Sequence, residues 1–362
     1  MIVIGAGPAG TTAARRSARA GMRTLLVEKR AFPRDKVCGA CVSARALRML
    51  AADGVDICAA DLVGEPFHEL RVQRRSRTLT VPLPSGFAIR RAEFDQFLLG
   101  RAAAAGAVCM LETAAEVGHA EPGGRTVLLS DGRACQARVV IVADGLGHPS
   151  LARMPGFQSR RYGSIVGAGG TVPASTGGEG LRPGTIHMFI GDGGYVGVVD
   201  AGAAHWNVGA ALSSRQIRRH GSVAASVNQI LAESHQSLPG LGAASWRGTP
   251  VLHQMASRCA DERLFLIGDA AGYVAPFTGE GIAAAIESAI AVMPFVLQGV
   301  ESWDARLARS WTAMYARTIV RRQWVCRGLA RLLQSPAAMH VGLVAGACLP
   351  GLAAWLASRV CR

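Results

Sequence analysis

The first 28 residues form a complete β-α-β unit, and this unit constrains the fold more than any other part of the chain. Residues 2–5 are an apolar run typical of a buried strand. Residues 8–20 are Ala-rich, predict a helix and lead into Gly21, which suits a left-handed helix cap. Residues 23–28 (R-T-L-L-V-E) predict a second buried strand. Because a helix that joins two strands this closely makes them parallel neighbours, the sequence predicts an α/β fold.

The turn between the first strand and the helix carries a glycine motif, G-A-G-P-A-G, at residues 5–10. Gly5 permits the tight turn, Gly7 allows a pyrophosphate to approach the backbone, and Gly10 lets the helix pack closely on the strand. With 44 Gly in 362 residues the spacing alone is a weak signal, and the flanking strand and helix make it specific. Glu28, at the end of the second strand, can accept both ribose hydroxyls of an adenosine, which favours FAD or NAD over NADP.

A second strand-turn-helix pattern distinguishes FAD from NAD. An apolar run over 264–267 leads into G-D-A-A-G (268–272), and P-F-T-G-E-G-I follows at 276–282. The carboxylate of Asp269 can bind a ribityl hydroxyl, and a helix beginning near Gly279 would direct its positive end toward the flavin N1–C2 carbonyl. A protein that binds only NAD has no need of this second turn, so the two patterns together predict FAD.

The middle of the chain follows a different pattern. Between about residues 160 and 250, short apolar runs alternate with Gly-rich turns, which predicts an antiparallel sheet, and from about residue 280 the pattern is helical. We therefore predict a mixed α/β fold built around a discontinuous Rossmann-like domain. The predicted parts are an FAD-binding domain (1–65, 95–155 and 255–295), an inserted, mainly antiparallel substrate-binding sheet (66–94 and 156–254) and a helical C-terminal segment (296–362).

Motifs from residue 1 to about residue 290 resemble, in the same order, the single-component FAD flavoproteins that include geranylgeranyl reductases, aromatic hydroxylases and flavin-dependent halogenases. The motifs are G-A-G-P-A-G (5–10), Glu28, P-R-D-K-V-C-G (33–39), R-A-E-F-D (91–95), A-D-G (143–145) and G-D-A-A-G-Y-V-A-P-F-T-G-E-G-I (268–282). The resemblance implies FAD with a sheet covering its isoalloxazine face. No His or Cys lies in a recognisable attachment motif, so we expect the FAD to be non-covalent. From the motifs and this resemblance together, the candidate FAD-binding residues are Gly5, Gly7, Ala9, Gly10, Glu28, Lys29, Arg91, Asp144, Gly145, Gly268, Asp269, Gly279, Gly281 and Ile282.

Within this family the P-R-D-K-V-C-G stretch most resembles geranylgeranyl reductases, in which the Cys position, here Cys38, lies near the flavin. Ala40-Cys41 stands where Glu-Gly is usual in that group. Cys38 could donate a proton, shape the pocket, form a redox pair with Cys41, or be an inert residue in a tight turn. His187 and Tyr195, on the predicted inserted sheet, are candidate acids, bases or substrate donors, although a lone His among apolar residues is commonly a core residue.

The sequence favours an oxidoreductase that reduces a carbon–carbon double bond in an apolar, prenyl- or polyketide-like substrate by hydride transfer from reduced FAD. One alternative is an aromatic monooxygenase that uses a C4a-hydroperoxide, and another is a peripheral-membrane electron-transfer flavoprotein. The chain has no second dinucleotide fingerprint, so NAD(P)H or a ferredoxin-like donor would dock transiently beside the flavin.

Charge and cysteine content bear on the partners and the cellular compartment of the protein. The net charge of +14 comes from 37 Arg and only two Lys, a skew that we interpret as coding bias. No basic helix, zinc finger or aromatic RNA motif accompanies the charge, so we expect no nucleic-acid partner. Nine Cys, an odd number, together with an N-terminus already inside a strand, favour a cytoplasmic protein with reduced thiols. No second Cys pair completes a zinc site, so no metal is expected.

One apolar segment raises the question of a membrane. Residues 336–357 contain no Asp, Glu, Lys or Arg and are long enough to span a bilayer, but they are rich in Ala and Gly and include Pro350. We interpret the segment as a packed or surface-lying helical hairpin, which would allow peripheral membrane association through the C-terminal helices. The arginines that precede it suit either an anionic lipid surface or a solvated helix face.

Overall fold

The computed structural model describes residues 1–176, 178–274 and 280–322. The helices are α1 (Pro8–Arg19), α2 (Ala44–Ala52), α3 (Arg91–Ala104), α4 (Ser214–His220), α5 (Val223–Glu233), α6 (Gly281–Glu301) and α7 (Ala305–Tyr315), the last continued by a π-helical turn (Ala316–Val320). The strands are β1 (Ile2–Ile4), β2 (Leu25–Val27), β3 (Cys41–Val42), β4 (Gly64–Arg74), β5 (Arg77–Ile89), β6 (Val108–Met110), β7 (Ala115–Glu121), β8 (Gly124–Leu129), β9 (Ala134–Ala137), β10 (Val140–Val142), β11 (Ser159–Arg161), β12 (Ile165–Pro173), β13 (Thr185–Gly191), β14 (Gly194–Asp200), β15 (His205–Ser213), β16 (Arg247–Val251), β17 (Gln254–Ala256), β18 (Ala260–Asp261), β19 (Leu264–Leu266) and β20 (Gly272–Tyr273).

A six-stranded sheet forms the base of the fold, in the order β18-β19-β10-β1-β2-β6. Five of its strands are parallel, and β18 pairs antiparallel with β19 at the edge. The central strands are short, continuous apolar runs that are buried on both faces, as a helix-covered parallel sheet requires. Helix α1 packs against α3 and α6. The predicted β-α-β unit and its parallel sheet are therefore confirmed.

An eight-stranded sheet lies against the first, in the order β16-β12-β15-β14-β13-β4-β5-β3. All its pairs are antiparallel except β13 with β4. Its side chains alternate between two faces: on β14, Val196 and Val198 pack in the cluster that contains α5, whereas Tyr195 and Val199 belong to the cluster on the opposite face. This opposite face turns toward the six-stranded sheet and forms one wall of the cleft described below.

The mixed α/β fold with an inserted, mainly antiparallel sheet is thus confirmed. All strands of the six-stranded sheet lie within 1–65, 95–155 and 255–295. Most of the eight-stranded sheet lies within 66–94 and 156–254. Strand β3 and the first two residues of β4 differ: they fall in the first predicted segment but join the eight-stranded sheet, because both pair with the end of β5.

The described part of the C-terminal segment is helical and packs on the parallel sheet. The indole N–H of Trp311 donates a hydrogen bond to Leu266 O (3.1 Å), and its ring contacts Phe265 and Phe295. Helix α6 is long and apolar enough to cross a membrane, yet half of its most apolar window is buried inside the protein. Residues 336–357, the apolar segment considered from the sequence, lie outside the described residues.

Two Gly→Ala substitutions in helices test how closely α1 packs on the turn that follows β1. A Cβ atom at Gly10 would lie 1.8 Å from Gly5 O, so Gly10→Ala forces α1 away from β1 and is expected to lower the free energy of unfolding by about 3 kcal/mol. Gly100, on the exposed surface of α3, has open space around it, so Gly100→Ala is expected to raise the same quantity by about 0.5–1 kcal/mol. Urea titration measures both, and equal effects of the two substitutions would contradict the packing described here.

Candidate functional site

Three turns that are far apart in sequence meet at the carboxyl edge of the parallel sheet. Gly5 has a φ of +100°, and a Cβ atom there would lie 2.5 Å from Ala143 O in the turn that follows β10. Gly268 has a φ of +57°, and a Cβ atom there would lie 2.9 Å from the Cβ of Ala9 in the first turn of α1. The turns after β1, β10 and β19 therefore contact one another, and only glycine permits this approach at the two positions.

The N-terminus of α1 points into this meeting place and is built to receive an anion. Gly7 is the N-cap residue, Pro8 occupies the first turn, and that turn has no acidic side chain. The nearest atom to a Cβ placed on Gly7 is the Arg34 Nη2, 3.8 Å away, so the space in front of the helix is open. Free backbone N–H groups and the positive end of the helix dipole favour a pyrophosphate there.

Glu28 lies beside this helix terminus and is only 7% exposed. Its Oε2 accepts a hydrogen bond from the Ala6 N–H (2.9 Å), and its Oε1 accepts one from the Arg30 N–H (3.1 Å). Each carboxylate oxygen has a further lone pair, so two ribose hydroxyls can still donate to it. The neighbouring Lys29 is exposed, and its charge acts on Asp144 across the turn.

A buried chain of charges connects Glu28 with Cys38. Asp95 is fully buried and accepts two hydrogen bonds from Arg91, at 2.8 and 2.7 Å. Arg34 lies 3.2 Å from the same carboxylate with Nη1 and 3.7 Å from Glu28 with Nη2. Burial lowers the pKa of Arg91, but Asp95 and the side chain of Cys38 outweigh it, so the net pKa is raised and the guanidinium stays charged. Sequence reasoning did not identify Arg34 or Asp95 as site residues.

Two further carboxylates, Asp144 and Asp269, lie in the turns that follow β10 and β19. Asp144 Oδ2 accepts a hydrogen bond from the Ser150 N–H (2.8 Å), whereas its buried Oδ1 has no partner within the described residues. Burial raises the pKa of Asp144 to about 6. Asp269 Oδ2 lies 3.4 Å from Lys36 Nζ, which also lies 3.5 Å from a Cβ placed on Gly145. A buried carboxyl oxygen that lacks a partner in the described part of the chain, such as Asp144 Oδ1, is a ready acceptor for a ligand hydroxyl.

The residues present fit FAD. A helix N-terminus suits the pyrophosphate, Glu28 suits the adenosine ribose, and Asp144 and Asp269 provide further acceptors. Gly281 and Ile282, at the start of α6, line the same space. The predicted residue Gly279 lies outside the described residues.

A cleft with an empty volume of about 1340 Å³, counting its open mouth, extends from these turns to the inner face of the eight-stranded sheet. Polar side chains of Cys38, Tyr195 and Tyr273 reach its lining. Burial, followed by the neighbouring Asp269 and Tyr195 and then Cys38, raises the pKa of Tyr273 well above its usual value. Tyr273 was missed by sequence reasoning, although it directly follows the G-D-A-A-G motif.

The structure separates His187 from this cleft. His187 is 2% exposed, its Nε2 accepts a hydrogen bond from the Arg182 N–H (2.9 Å), and its ring stacks on Phe189. Burial lowers its pKa to about 4. Its neighbours Ile186 and Met188 line the cleft instead, because successive residues of a strand point to opposite faces.

Cys38 belongs to a segment, Val37–Gly39, that crosses the inner face of the eight-stranded sheet. The Asn207 side-chain amide donates a hydrogen bond to Cys38 O (3.1 Å) and fixes the segment to β15. A Cβ at Gly209 would lie 3.3 Å from Gly39 Cα, so this glycine permits the crossing. The thiol of Cys41 is buried and donates to Gly39 O (3.1 Å), and burial raises the pKa of Cys41.

Comparisons with known proteins agree with this site. A family model described as an FAD binding domain matches residues 1–294. The chain is 30% identical over 356 residues to menaquinone reductase of Mycobacterium tuberculosis, which covers 93% of this chain and 84% of that relative. It is 26% identical over 334 residues to digeranylgeranylglycerophospholipid reductase 3 of Methanosphaera stadtmanae, which covers 84% of this chain and 78% of that relative.

The fold is also shared with a solved structure of PqsL from Pseudomonas aeruginosa, described as a probable FAD-dependent monooxygenase. The two chains are 20% identical with a TM-score of 0.73, over 95% of this chain and 98% of that one. Together with the match of the family model over most of the sequence, the glycine turns and their carboxylates lead to one conclusion. The chain belongs to the FAD-binding monooxygenase and reductase family and is an FAD-dependent oxidoreductase.

Proposed function

We propose that this oxidoreductase reduces a carbon–carbon double bond in the prenyl chain of an apolar quinone or lipid. The observation that carries the proposal is the division of the cleft into a charged wall and an apolar wall. The charged lining residues Lys36, Arg91 and Asp269 come from the nucleotide side. The eight-stranded sheet contributes mainly aliphatic side chains and glycines, and its lining residues with a hydroxyl or thiol group are Cys41, Tyr195 and Thr249.

An apolar wall of this kind matches a hydrocarbon substrate. Side chains of Ile186, Met188 and Val199 face the cleft from adjacent strands, and Leu252 and Ile282 close its sides. Burial of prenyl carbons against them is favourable by about 25 cal/mol per Å² of apolar surface. The names of the relatives, menaquinone reductase and digeranylgeranylglycerophospholipid reductase, support the same substrate class.

Reduction of the double bond requires a hydride on one carbon and a proton on the other. When bound, FAD supplies the hydride chemistry, and a reduced nicotinamide or a ferredoxin-like protein supplies its electrons. The protein must supply the proton, and Tyr273 is the donor that we propose. Its phenol lines the cleft and is protonated at neutral pH. Burial and the neighbouring Asp269 raise its pKa, whereas the Arg91 guanidinium acts in the opposite direction and favours the phenolate that remains after transfer.

The remaining side chains of the cleft hold the substrate and keep water out. The Cys38 segment is fixed to β15 by Asn207, so the thiol borders the cleft at a defined position. Arg91 is held by two hydrogen bonds to Asp95 and is not free to follow a ligand. An immobile, largely apolar enclosure favours transfer of a proton from Tyr273 over exchange with solvent.

Anaerobic single turnover tests the proposed reaction. The protein is loaded with FAD, reduced with dithionite, NADH or NADPH in parallel, and mixed without oxygen with a short-chain menaquinone or a geranylgeranyl glycerol ether. We expect reoxidation of the flavin by the glycerol ether, which has no quinone to accept the electrons, and with both probes a gain of two hydrogen atoms in the prenyl chain by mass spectrometry. If there is no anaerobic product, and a parallel assay in air shows stoichiometric oxygen consumption with addition of an oxygen atom to the substrate, the proposal is contradicted and the monooxygenase alternative is favoured.

Tyr273→Phe removes the proposed proton donor and little else. We expect the rate of anaerobic flavin reoxidation by substrate to fall roughly 100-fold, with unchanged FAD affinity and an unchanged rate of flavin reduction. The solvent deuterium isotope effect on reoxidation should change at the same time, which a purely structural role would not produce.

Tyr195→Phe is the matched comparison, because Tyr195 lines the same cleft on β14. We expect a much smaller effect on reoxidation than for Tyr273→Phe. A large loss in Tyr195→Phe with normal rates in Tyr273→Phe would assign the proton to Tyr195 instead.

A further inference from the structure

Four residues form a row across the cleft face of the eight-stranded sheet. Met188 on β13 pairs with Gly197 on β14, Gly197 pairs with Gly209 on β15, and Gly209 pairs with Gly169 on β12. Met188, Gly197 and Gly209 line the cleft. Three adjacent strands therefore present bare backbone at one level of the sheet.

Two of these glycines are explained by the fold. A Cβ at Gly169 would lie 3.3 Å from Val37 Cγ1, and one at Gly209 would lie 3.3 Å from Gly39 Cα. Both contacts are tight, because the Val37–Gly39 segment crosses the sheet at these positions. Side chains there would lift the segment that carries Cys38.

Gly197 has no such reason to be glycine. Its φ lies outside the left-handed region, and the nearest atoms to a Cβ placed on it are Met188 Cε at 3.4 Å and, at 3.7 Å, Met188 Sδ and Gly209 O. These are ordinary van der Waals distances, and the closest atom belongs to a flexible side chain. Since glycine weakens the interior of a strand, the fold alone would favour a larger residue here.

We infer that Gly197 is a specificity-determining residue, whose missing side chain leaves a slot over β14 for the apolar part of the substrate. Met188 forms an adjustable wall of this slot, because its unbranched thioether can move aside as the ligand enters. Tyr195 and Val199, two residues before and after Gly197 on the same face, bound the slot along the strand. The inference rests on the proposed function, in that it requires the substrate to occupy this cleft.

Substitution at Gly197 tests the slot directly. We expect Gly197→Ala to be as stable to heat as the wild type or more stable, and Gly197→Val to bind FAD normally. We expect the kcat/KM of Gly197→Val for short-chain menaquinone to fall at least tenfold, mainly through KM. Gly170→Ala is the matched control: a Cβ at Gly170 on β12 would meet Trp246 Cδ2 at 3.5 Å, outside the cleft lining, so kcat/KM should not change.

A compensating double variant separates a steric effect in the slot from damage to the fold. Gly197→Val adds three carbon atoms, and Met188→Ala removes as many heavy atoms from the facing side chain. We therefore expect Met188→Ala to restore most of the kcat/KM lost in Gly197→Val. The affinity of the oxidised holoenzyme for menaquinone, followed through the flavin absorbance, should show the same pattern: it is weaker in Gly197→Val than in the wild type, and Met188→Ala restores most of the loss.

Two results would overturn the inference while leaving the proposed function intact. One is an active wild type with an unchanged kcat/KM in Gly197→Val. The other is a loss in Gly197→Val that Met188→Ala does not restore and that is accompanied by weaker FAD binding. A wild type that neither binds nor reduces the prenyl probes would contradict the proposed function, and the inference with it.

Discussion

The close approach of the glycine turns at the edge of the parallel sheet is the constraint on which the rest of the structure depends. Gly5 and Gly268 are separated by most of the chain, yet each makes room for backbone or side-chain atoms that a Cβ would displace. The contact between these turns brings the N-terminus of α1 and the carboxylate of Asp269 to one cleft. Without this contact, the groups suited to the adenosine half of a dinucleotide and those suited to its flavin half would lie in separate sites.

The cleft combines two environments that the fold keeps apart. On the nucleotide side, the chain from Glu28 through Arg34, Asp95 and Arg91 to Cys38 satisfies a fully buried carboxylate with two guanidinium groups. Buried ion pairs of this kind contribute little net stability, so their value lies in fixing positions. On the sheet side, small and aliphatic residues leave an apolar space.

Local sequence patterns predicted the strands and turns of the nucleotide side, but not the buried pair of Arg34 and Asp95, which only the fold brings together. The order strand, glycine turn, helix, strand and Glu28 is contained in 28 residues, and the inserted sheet follows from its alternating runs. The substrate side depends on contacts between distant residues, such as Asn207 with Cys38, and on strand register, which no local pattern contains. The face of His187 could have been inferred from strand alternation once Ile186 and Met188 were assigned to the cleft.

The most direct measurement is the affinity of the protein for FAD, determined by fluorescence titration in the wild type, Glu28→Gln and Asp269→Asn. If one dinucleotide is held at both turns, each substitution weakens FAD binding at least tenfold. Glu28→Gln then also weakens AMP and spares FMN, and Asp269→Asn does the reverse. Tight FAD binding that is insensitive to either substitution, or a wild type that does not bind FAD, would contradict the account.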